Sequence, residues 1–325
     1  MNRLDVDLGN GHLKYFQNSS VVTVPAYVAP VFDRAKFSQC PVFSLVDSST
    51  GANRNGDAWI VGEDALDFAP RDAVRVGSVP QSKGKAKYAL KQIATIVPPT
   101  DQTIIVNCSV PDVIRHGQEL KSALIGCHVI DRDGKQFTLV VSDVSVRPEG
   151  FGAVYSAIAT GLAPADRLNA GLDIGSQTAI VSGFNRRGQE IEALRLVIDD
   201  GGTRSLFARI GSHSSVVKAF GGELTPDLVE REILRSLHSP TIDGFGVEAI
   251  YREIKRQWLQ NIIDRTGSVL SEMFGEIGSI VVFGGGVELA RHELAALPKA
   301  IVLANSQSAN VSGLAALPLA QSVTA

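Results

Sequence analysis

The sequence predicts an α/β protein made of two related lobes with a ligand cleft between them. Two observations lead to this prediction. One small acidic motif occurs twice, about half a chain apart, and each copy heads its own half of the chain. Short apolar strands and helical stretches alternate through both halves, and 325 residues are too many for one small core.

The repeated motif is a glycine-containing turn with an aspartate at its base. The first copy is Asp7-Leu8-Gly9-Asn10-Gly11-His12-Leu13-Lys14, and the second is Asp173-Ile174-Gly175-Ser176-Gln177-Thr178. An apolar stretch enters and leaves each turn, so each motif is predicted to be the tip of a β-hairpin.

Such a tip is suited to polyphosphate chemistry. Glycine lets the backbone approach a ligand closely, and bared N–H groups at a tip donate to phosphate oxygens. The aspartate would repel phosphates unless a hydrated Mg²⁺ lay between them. Lys14, on the strand leaving the first turn, could reach a phosphate as a point charge, and the alternative is a solvated surface lysine. Two such tips facing each other would hold a polyphosphate from both sides.

The first half is predicted to begin with strands. Alternating or continuous apolar residues predict strands at 3–8, 12–16, 20–24, 103–110 and 137–146. Helical periodicity predicts a helix over 84–97, and a second helix is expected after Pro148, at 149–162. Residues 25–57 are predicted to be irregular, with a flexible loop at 48–56.

The second half restarts with a predicted hairpin at 170–184. Thr225-Pro226 predicts a helix start, because a capping hydroxyl precedes a proline in the first turn. An apolar stripe with mostly four-residue spacing predicts the longest helix, over 247–274. The remaining elements are predicted as strands at 279–283 and 301–303 and helices at 287–296 and 308–317.

The composition is that of a folded protein and argues against several classes of function. The hydrophobic share is 44%, the charged share is 20% and the formal net charge is −3, which gives no electrostatic reason for direct nucleic-acid binding. Three cysteines without CxxC spacing argue against disulfides and structural zinc and favour a reducing cytosol. Asp5 and Asp7 interrupt the first apolar stretch, so no signal peptide is expected. No apolar run approaches the ~20 residues that cross a bilayer.

Two further segments are candidates for the site. Gly284-Gly285-Gly286 follows an apolar strand and leaves room for a flat ring against the backbone, and the alternative is a tight strand-to-helix turn. Glu149 lies at the start of the helix predicted after Pro148. Its position favours a carboxylate stabilised by the helix macrodipole, and the alternative is a carboxylate that orients a water in the cleft.

Taken in order, these motifs resemble those of the actin-like ATPase superfamily, and most of all those of the bacterial plasmid-partitioning ParM/StbA group. The two aspartate turns resemble its phosphate motifs, and residues 282–289 resemble its adenosine motif. Residues 148–153 are similar to the connecting segment that carries the group's catalytic glutamate, and residues 309–314 resemble its closing helix. Gln177 departs from the pattern, since small or hydroxyl residues are usual at that place.

The resemblance implies an actin-like, ribonuclease H-like duplicated fold, with lobe I formed by 1–165 plus 305–325 and lobe II by 166–304. It implies that Glu149 positions the attacking water, and that Asp7 and Asp173 bind Mg²⁺ through its waters. The residues implied to hold the phosphates are Gly9, Asn10, Gly11, Lys14, Gly175, Ser176 and Gln177. Gly284, Gly285 and Gly286 are implied to lie against the adenosine.

The activity implied by the resemblance is hydrolysis of ATP, or of GTP, coupled to head-to-tail filament formation in the bacterial cytoplasm. The implied partners are further copies of the chain and a DNA-binding adaptor protein through which plasmid DNA is moved. Direct contact with nucleic acid or with a membrane is not expected. Two alternatives stay open, namely a small-molecule kinase on the same fold and a cytoskeletal scaffold with no role in segregation.

Overall fold

The computed structural model describes residues 2–9, 11–51, 54–78 and 85–318. Its strands are β1 (Asn2–Leu8), β2 (His12–Gln17), β3 (Ser20–Pro25), β4 (Tyr27–Pro30), β5 (Phe43–Ser48), β6 (Ala58–Val61), β7 (Val74–Arg75), β8 (Gln102–Val110), β9 (Gly126–Arg132), β10 (Lys135–Pro148), β11 (Leu168–Ile174), β12 (Ala179–Phe184), β13 (Glu190–Ile198), β14 (Thr241–Ile242), β15 (Phe245–Gly246), β16 (Ile277–Phe283) and β17 (Ala300–Val302). Its α-helices are α1 (Gly62–Phe68), α2 (Ala86–Ile96), α3 (Val113–Leu124), α4 (Phe151–Ala159), α5 (Thr203–Gly211), α6 (Ser214–Phe220), α7 (Pro226–Arg235), α8 (Glu248–Leu270), α9 (Arg291–Ala295) and α10 (Ala309–Ala316).

The chain forms two compact units. The first contains Met1–Ala159 together with Ser308–Ala325, and the second contains Thr160–Gln307. The first unit is therefore discontinuous in sequence, because α10 returns to it from the end of the chain. The assignment of the two units to lobe I and lobe II of an actin-like molecule stays a prediction.

The first unit is built on one mixed sheet with the strand order β3-β2-β1-β8-β10-β9-β5-β6-β4-β7. Strands β1, β8 and β10 are parallel neighbours, whereas β2 and β3 continue the sheet in antiparallel fashion. Central parallel strands are usually covered on both faces and are therefore apolar. This explains why β8 is buried from Val106 to Val110 although Asn107 and Ser109 interrupt its apolar run.

The second unit is built on a sheet with the order β13-β12-β11-β16-β17. Strands β11, β16 and β17 are parallel, and β12 and β13 are antiparallel additions. Beside them lies a short hairpin of β14 and β15. The order β3-β2-β1-β8-β10 of the first unit repeats the same pattern of directions, so the duplication predicted from the two turns extends to five strands on each side.

Each unit has its own core. Trp59 in the first core and Trp258 in the second are 1% exposed. Both indoles also donate a hydrogen bond to a backbone carbonyl, Trp59 to Lys91 at 3.2 Å and Trp258 to Gly201 at 3.1 Å. A buried tryptophan needs such a partner for its N–H group, and these bonds orient each ring within its core.

Helix α10 completes the first unit by packing against α4 at a pair of glycines. A Cβ atom on Gly313 would overlap the carbonyl oxygen of Gly152, so the two backbones touch where no side chain fits. Arg3 on β1 secures the end of the helix by donating to the carbonyl oxygens of Leu314 and Leu317, the latter at 2.6 Å. These contacts fix α10 beside the strand that carries Asp7.

Most of the predicted elements are confirmed, with shifted ends, and two predictions are wrong. Residues 25–57 are not irregular, because β4, β5 and a 3-10 helix at Arg34–Phe37 lie within them. The helix predicted at 287–296 is a 3-10 turn at Gly285–Leu289 followed by the short α9. Thr225 caps α7 as expected, since its hydroxyl accepts from the Leu228 N–H at 3.4 Å.

Candidate functional site

The first aspartate turn connects β1 to β2 as predicted. Asp7 on β1 lies directly opposite Lys14 on β2, and the Lys14 ammonium donates to Asp7 Oδ2 at 3.2 Å. Opposite charges on facing residues of an antiparallel pair stabilise the pairing. Asn10, which the sequence assigned to this turn, lies outside the described residues. The flanking Gly11 anchors the turn to the sheet, because its carbonyl oxygen accepts from the Ala26 N–H at 3.0 Å.

Four charged side chains form a row of alternating sign at the base of this turn. Lys14 faces one oxygen of Asp7, and the ammonium of Lys85 lies 3.9 Å from the other, Oδ1. The same Lys85 ammonium donates to Oε1 of Glu149. The row Lys14, Asp7, Lys85 and Glu149 therefore carries no net formal charge, which is how a buried cluster of ions avoids an uncompensated charge.

The electrostatics favour the ionised forms of Asp7 and Lys85. Burial would raise the pKa of Asp7, but Lys14 and Lys85 outweigh it and hold that pKa below its ordinary value. Burial would likewise lower the pKa of Lys85, and Glu149 and Asp7 reverse the effect, so the Lys85 pKa lies above its usual value. The carboxylate of Asp7 is therefore a charged oxygen ligand at neutral pH.

Glu149 is held at the point where β10 ends and α4 begins. The preceding Pro148 pairs with Val110, and the Glu149 N–H donates to the Val110 carbonyl oxygen at 2.9 Å. Gly150 follows with a φ of +90°, a left-handed conformation that glycine adopts without strain. The backbone thus leaves the sheet at Glu149. The side chain contacts Lys85, and α4 begins only two residues later, at Phe151.

Lys85 itself precedes α2 in a left-handed conformation, with φ of 62°. That conformation costs a non-glycine residue about 1–2 kcal/mol and persists only where its surroundings hold it. The ammonium is held by the Ser109 carbonyl oxygen at 3.1 Å in addition to Glu149. The Ser109 hydroxyl in turn contacts the amide of Asn310 on α10, at 3.0 Å. The charged row is therefore braced by the returning helix.

The second aspartate turn connects β11 to β12 and is backed by the start of α5. Its Gly175 and Ser176 carbonyl oxygens accept from the N–H groups of Thr203 and Arg204, at 3.1 and 2.9 Å. Asp173 is half-buried at the end of β11, opposite Ile180. Two stretches of backbone thus fix the shape of this turn.

The three glycines after β16 lie against the second turn. Gly284 has a φ of +100°, and a Cβ atom there would lie 2.5 Å from the carbonyl oxygen of Ile174. A Cβ on Gly286 would lie 2.6 Å from the Ile174 side chain, whereas Gly285 is exposed. Within the second unit the structure therefore brings Asp173, its turn and the glycines together, and Gly285 is the one of the three that faces outward.

The donor chemistry of these turns fits a magnesium-bound polyphosphate. Mg²⁺ prefers carboxylate and water oxygens and is usually held by one or two carboxylates plus the substrate phosphates. The described part of the chain contains no group of three or more His, Cys, Asp or Glu residues arranged for a metal. In the second turn, the Gln177 Nε2 atom is buried and has no hydrogen-bond partner among the described residues. A buried donor of this kind needs an acceptor, which a phosphate oxygen would supply.

Sequence reasoning missed Lys85, Ser109 and Asn310. Lys85 is one of three lysines spaced two apart before and within α2, and nothing local distinguishes it from its neighbours. Polar residues in the buried strand β8 were the available signal, because Asn107 and Ser109 both need partners there. Those partners come from distant parts of the chain: Asn107 donates to Asp5 at 2.8 Å and to the Leu314 carbonyl oxygen at 3.2 Å.

Residues 6–152 match the family described as actin like proteins N terminal domain. No relative among curated proteins matches the sequence. Within the described residues, every helix is too short or too polar to span a membrane.

Solved structures resemble the chain over nearly its whole length. The archaeal actin homologue Ta0583 superposes with a TM-score of 0.76 at 18% identity, covering 97% of this chain and 98% of that one. The complex of Ta0583 with ADP gives a TM-score of 0.74 at 18% identity and covers 97% of this chain and 98% of that one. A 15-stranded ParM filament from Clostridium botulinum gives 0.75 at 18% identity, again with 97% and 98% coverage. The chain therefore has the actin-like fold, and its residues 6–152 are similar to the N-terminal domain of actin-like proteins.

Proposed function

We propose that this chain is an actin-like ATPase that binds ATP or GTP with Mg²⁺, hydrolyses it and assembles head-to-tail into filaments. The observation that carries the proposal is the charged row at the first turn, where the carboxyl groups of Asp7 and Glu149 both pair with lysine ammoniums. A purely structural turn does not require two carboxyl groups and two lysines beside its glycines. The fold shared with an ADP-bound archaeal actin homologue supports the same assignment.

Hydrolysis of a phosphoanhydride depends mainly on positioning and on stabilising charge. We assign Asp7 and Asp173 to Mg²⁺, contacted through its water ligands. When bound, the metal neutralises charge that develops on the phosphate oxygens. Lys14 lies beside Asp7 and would exchange that partner for a phosphate oxygen, since an ammonium acts as a mobile point charge.

Glu149 is assigned to the attacking water. A carboxylate that accepts a hydrogen bond from water directs a lone pair of the water oxygen toward the phosphorus. Such orientation lowers the entropy cost of the attack. The chain offers Glu149 for this role because its backbone N–H is bonded to β8 and its side chain accepts from the Lys85 ammonium. Its remaining oxygen, Oε2, is the atom assigned to the water.

The glycine turns are assigned to the rest of the nucleotide. Gly9, Asn10 and Gly11 in the first turn, and Gly175, Ser176 and Gln177 in the second, would donate to phosphate oxygens. Gln177 supports this assignment, because its buried Nε2 atom finds no acceptor in the part of the chain that the structure describes. Gly284, Gly285 and Gly286 would lie against the adenosine, where the exposed backbone at Gly285 leaves space for a ring.

Filament formation and its cellular use follow from the resemblance rather than from the site. A head-to-tail contact that does not close generates an open helix, as expected of this fold class. We propose that the filament moves plasmid DNA in the bacterial cytoplasm through a DNA-binding adaptor, since the formal net charge of −3 gives the chain no attraction for DNA.

Right-angle light scattering on the purified protein tests the proposal, with ATP or GTP and Mg²⁺ added in turn. We expect scattering to rise with one nucleotide and phosphate to be released without any added acceptor. Glu149→Ala should lower hydrolysis by roughly 10²-fold or more while the polymer persists, because the attacking water loses its orienting group. Asp143→Ala is a matched control, since Asp143 is an exposed carboxylate on the same strand β10.

Three outcomes would contradict the proposal. Turnover that requires an added acceptor, from a protein that does not polymerise, would identify a small-molecule kinase. An unchanged rate in Glu149→Ala would remove this residue from the reaction. Polymer that forms equally with and without nucleotide would indicate a scaffold.

A further inference from the structure

Lys85 is the most deeply buried member of the charged row, and the proposed hydrolysis gives it no role. Its side chain is 1% exposed, compared with 14% for Lys14 and 13% for Glu149. Burying a lysine is costly unless its charge is paired and its hydrogen bonds are made. We propose that Lys85 is a positioning residue that fixes the Glu149 carboxylate in the orientation needed for the attacking water, an inference that rests on the proposed hydrolysis.

The positions of both partners are fixed from the backbone side. Lys85 caps α2, and its carbonyl oxygen accepts from the Ala89 N–H at 3.1 Å. Its ammonium is held at 3.1 Å by the Ser109 carbonyl oxygen on β8. Glu149 is bonded through its own N–H to Val110, the next residue of the same strand. The contact between Lys85 and Glu149 therefore joins two points that are both anchored to β8.

This geometry leaves one oxygen of Glu149 to act. Lys85 donates to Oε1, so the rotation of the carboxylate is restricted and Oε2 is left for the water. A glutamate with free rotation would spend little of its time in the orientation required for attack. Restricting it is a contribution to the rate rather than to the affinity for nucleotide.

Lys85 differs in this respect from Lys14, although both ammoniums face Asp7. Lys14 is partly exposed and pairs across the hairpin, which leaves it able to exchange Asp7 for a ligand. Lys85 has its polar contacts with Ser109, Glu149 and Asp7, all within the protein. Once Lys14 turns to a phosphate, Lys85 also remains as the positive charge beside Asp7, which keeps the two carboxylates from repelling each other.

The first test is the variant Lys85→Met, which keeps the length of the side chain and removes its charge. We expect kcat for nucleotide hydrolysis to fall roughly tenfold to 10²-fold, as misplacement of a reacting group does, while KM stays within the same order of magnitude. Binding of a fluorescent nucleotide should likewise be retained. Lys91→Met is the matched control, because Lys91 lies on the same helix and pairs with Asp57 at 3.1 Å, away from the charged row.

The second test separates positioning from a merely structural role. If Lys85 acts through Glu149, then adding Lys85→Met to a Glu149→Gln variant should cost little further rate, because the group that Lys85 positions has already been neutralised. Losses that multiply in the double variant would overturn the inference. So would a Lys85→Met variant that folds and hydrolyses nucleotide at the rate of the unaltered protein.

Two further variants guard against the case in which Lys85→Met does not fold. Lys85→Gln keeps a hydrogen-bond donor for Ser109. The double variant, Lys85→Met with Glu149→Gln, removes one charge of each sign and leaves no unpaired charge. We expect at least one of these two variants to unfold at a temperature close to that of the unaltered protein. A folded Lys85→Gln variant with the kcat of the unaltered protein contradicts the inference, whereas the double variant is compared with Glu149→Gln alone, whose rate it should match. If the unaltered protein neither binds nor hydrolyses nucleotide, the proposed function itself fails, which is a different result from a loss confined to the Lys85 variants.

Discussion

Lys14 and Lys85 show how two residues of one type acquire different environments around a single carboxylate. The position of Lys14, seven residues after Asp7, is set by the hairpin register and was predictable from the spacing of the motif. Lys85 reaches the same carboxylate from a separate helix, 78 positions away along the printed sequence. No local pattern encodes such a contact, because it depends on where the strand β8 and the helix α2 meet.

His12 at the start of β2 gives a prediction at the scale of one residue. Burial, Lys14 and Arg75 lower its pKa from 6.5 to about 4. Between these values the unfolded chain binds a proton that the folded protein rejects, so stability falls as the pH falls from 6.5 to 4. The cost is of the order of 2–3 kcal/mol at the lower end of this range.

The measurement is the urea midpoint of the nucleotide-free protein across that pH range, compared with His12→Gln. We expect the variant to lose less stability on acidification than the unaltered protein does. His238→Gln is the control, because His238 is exposed on the second unit and should leave the slope unchanged. Parallel pH profiles for the unaltered protein and His12→Gln would show that His12 does not titrate in this way.

Helix α10 gives a prediction at the scale of one element. Gly313→Ala would place a methyl group where the Gly152 carbonyl oxygen lies, so α10 and α4 would have to separate. Overpacking of this kind costs about 1–3 kcal/mol, or more where backbone must move. We expect a lower urea midpoint and weaker protection of the α4 amides against hydrogen exchange.

Gly267→Ala is the matched control for this substitution. Gly267 also lies within a helix, α8, but a Cβ atom there meets no atom within 4 Å. Alanine should therefore stabilise the second unit by about 0.5–1 kcal/mol through its better helix propensity. Equal effects of the two substitutions would mean that the contact between the glycines contributes nothing.

Elements with local signals were predictable, and those without them were not. Thr225 and Pro226 mark the start of α7 because capping and proline geometry act within one turn. Strand β5 was not predicted, because the residues that it pairs with lie elsewhere in the sequence. Phe43 pairs with Trp59 on one side and with Arg132 on the other. Likewise, α9 is short because Ala290 breaks the helical path with φ of −142°, a change that the hydrophobic pattern does not encode.

At the scale of the whole molecule, the sequence predicted the duplication but not its extent. The two aspartate turns identified one hairpin on each side, and the structure extends the repeat to five strands with the same directions. The two hairpin turns were predictable because glycine sets their backbone shape, whereas the roles of their residues toward a nucleotide stay predictions. Asn310 was not assigned a contact, because its partner Ser109 lies 201 positions earlier.

The second unit should fold without the first, because residues 160–307 are continuous and contain their own core. We expect this fragment to unfold cooperatively and to give a dispersed amide spectrum. For the first unit, residues 1–159 alone should be less stable than the same residues joined through a flexible linker to 308–318, since only the latter includes α10. Equal urea midpoints for these two fragments would show that α10 is dispensable.

The late position of α10 in the chain also has a consequence for biosynthesis. A ribosome must add about 150 residues after α4 before Gly313 exists, which takes roughly 8–30 s at about 5–20 residues per second. During that interval the nascent protein has its first turn, Lys85 and Glu149, but lacks the Asn310 amide that holds Ser109. Each copy therefore acquires the contact between Asn310 and Ser109 only once α10 has been synthesised, long after the residues of the charged row.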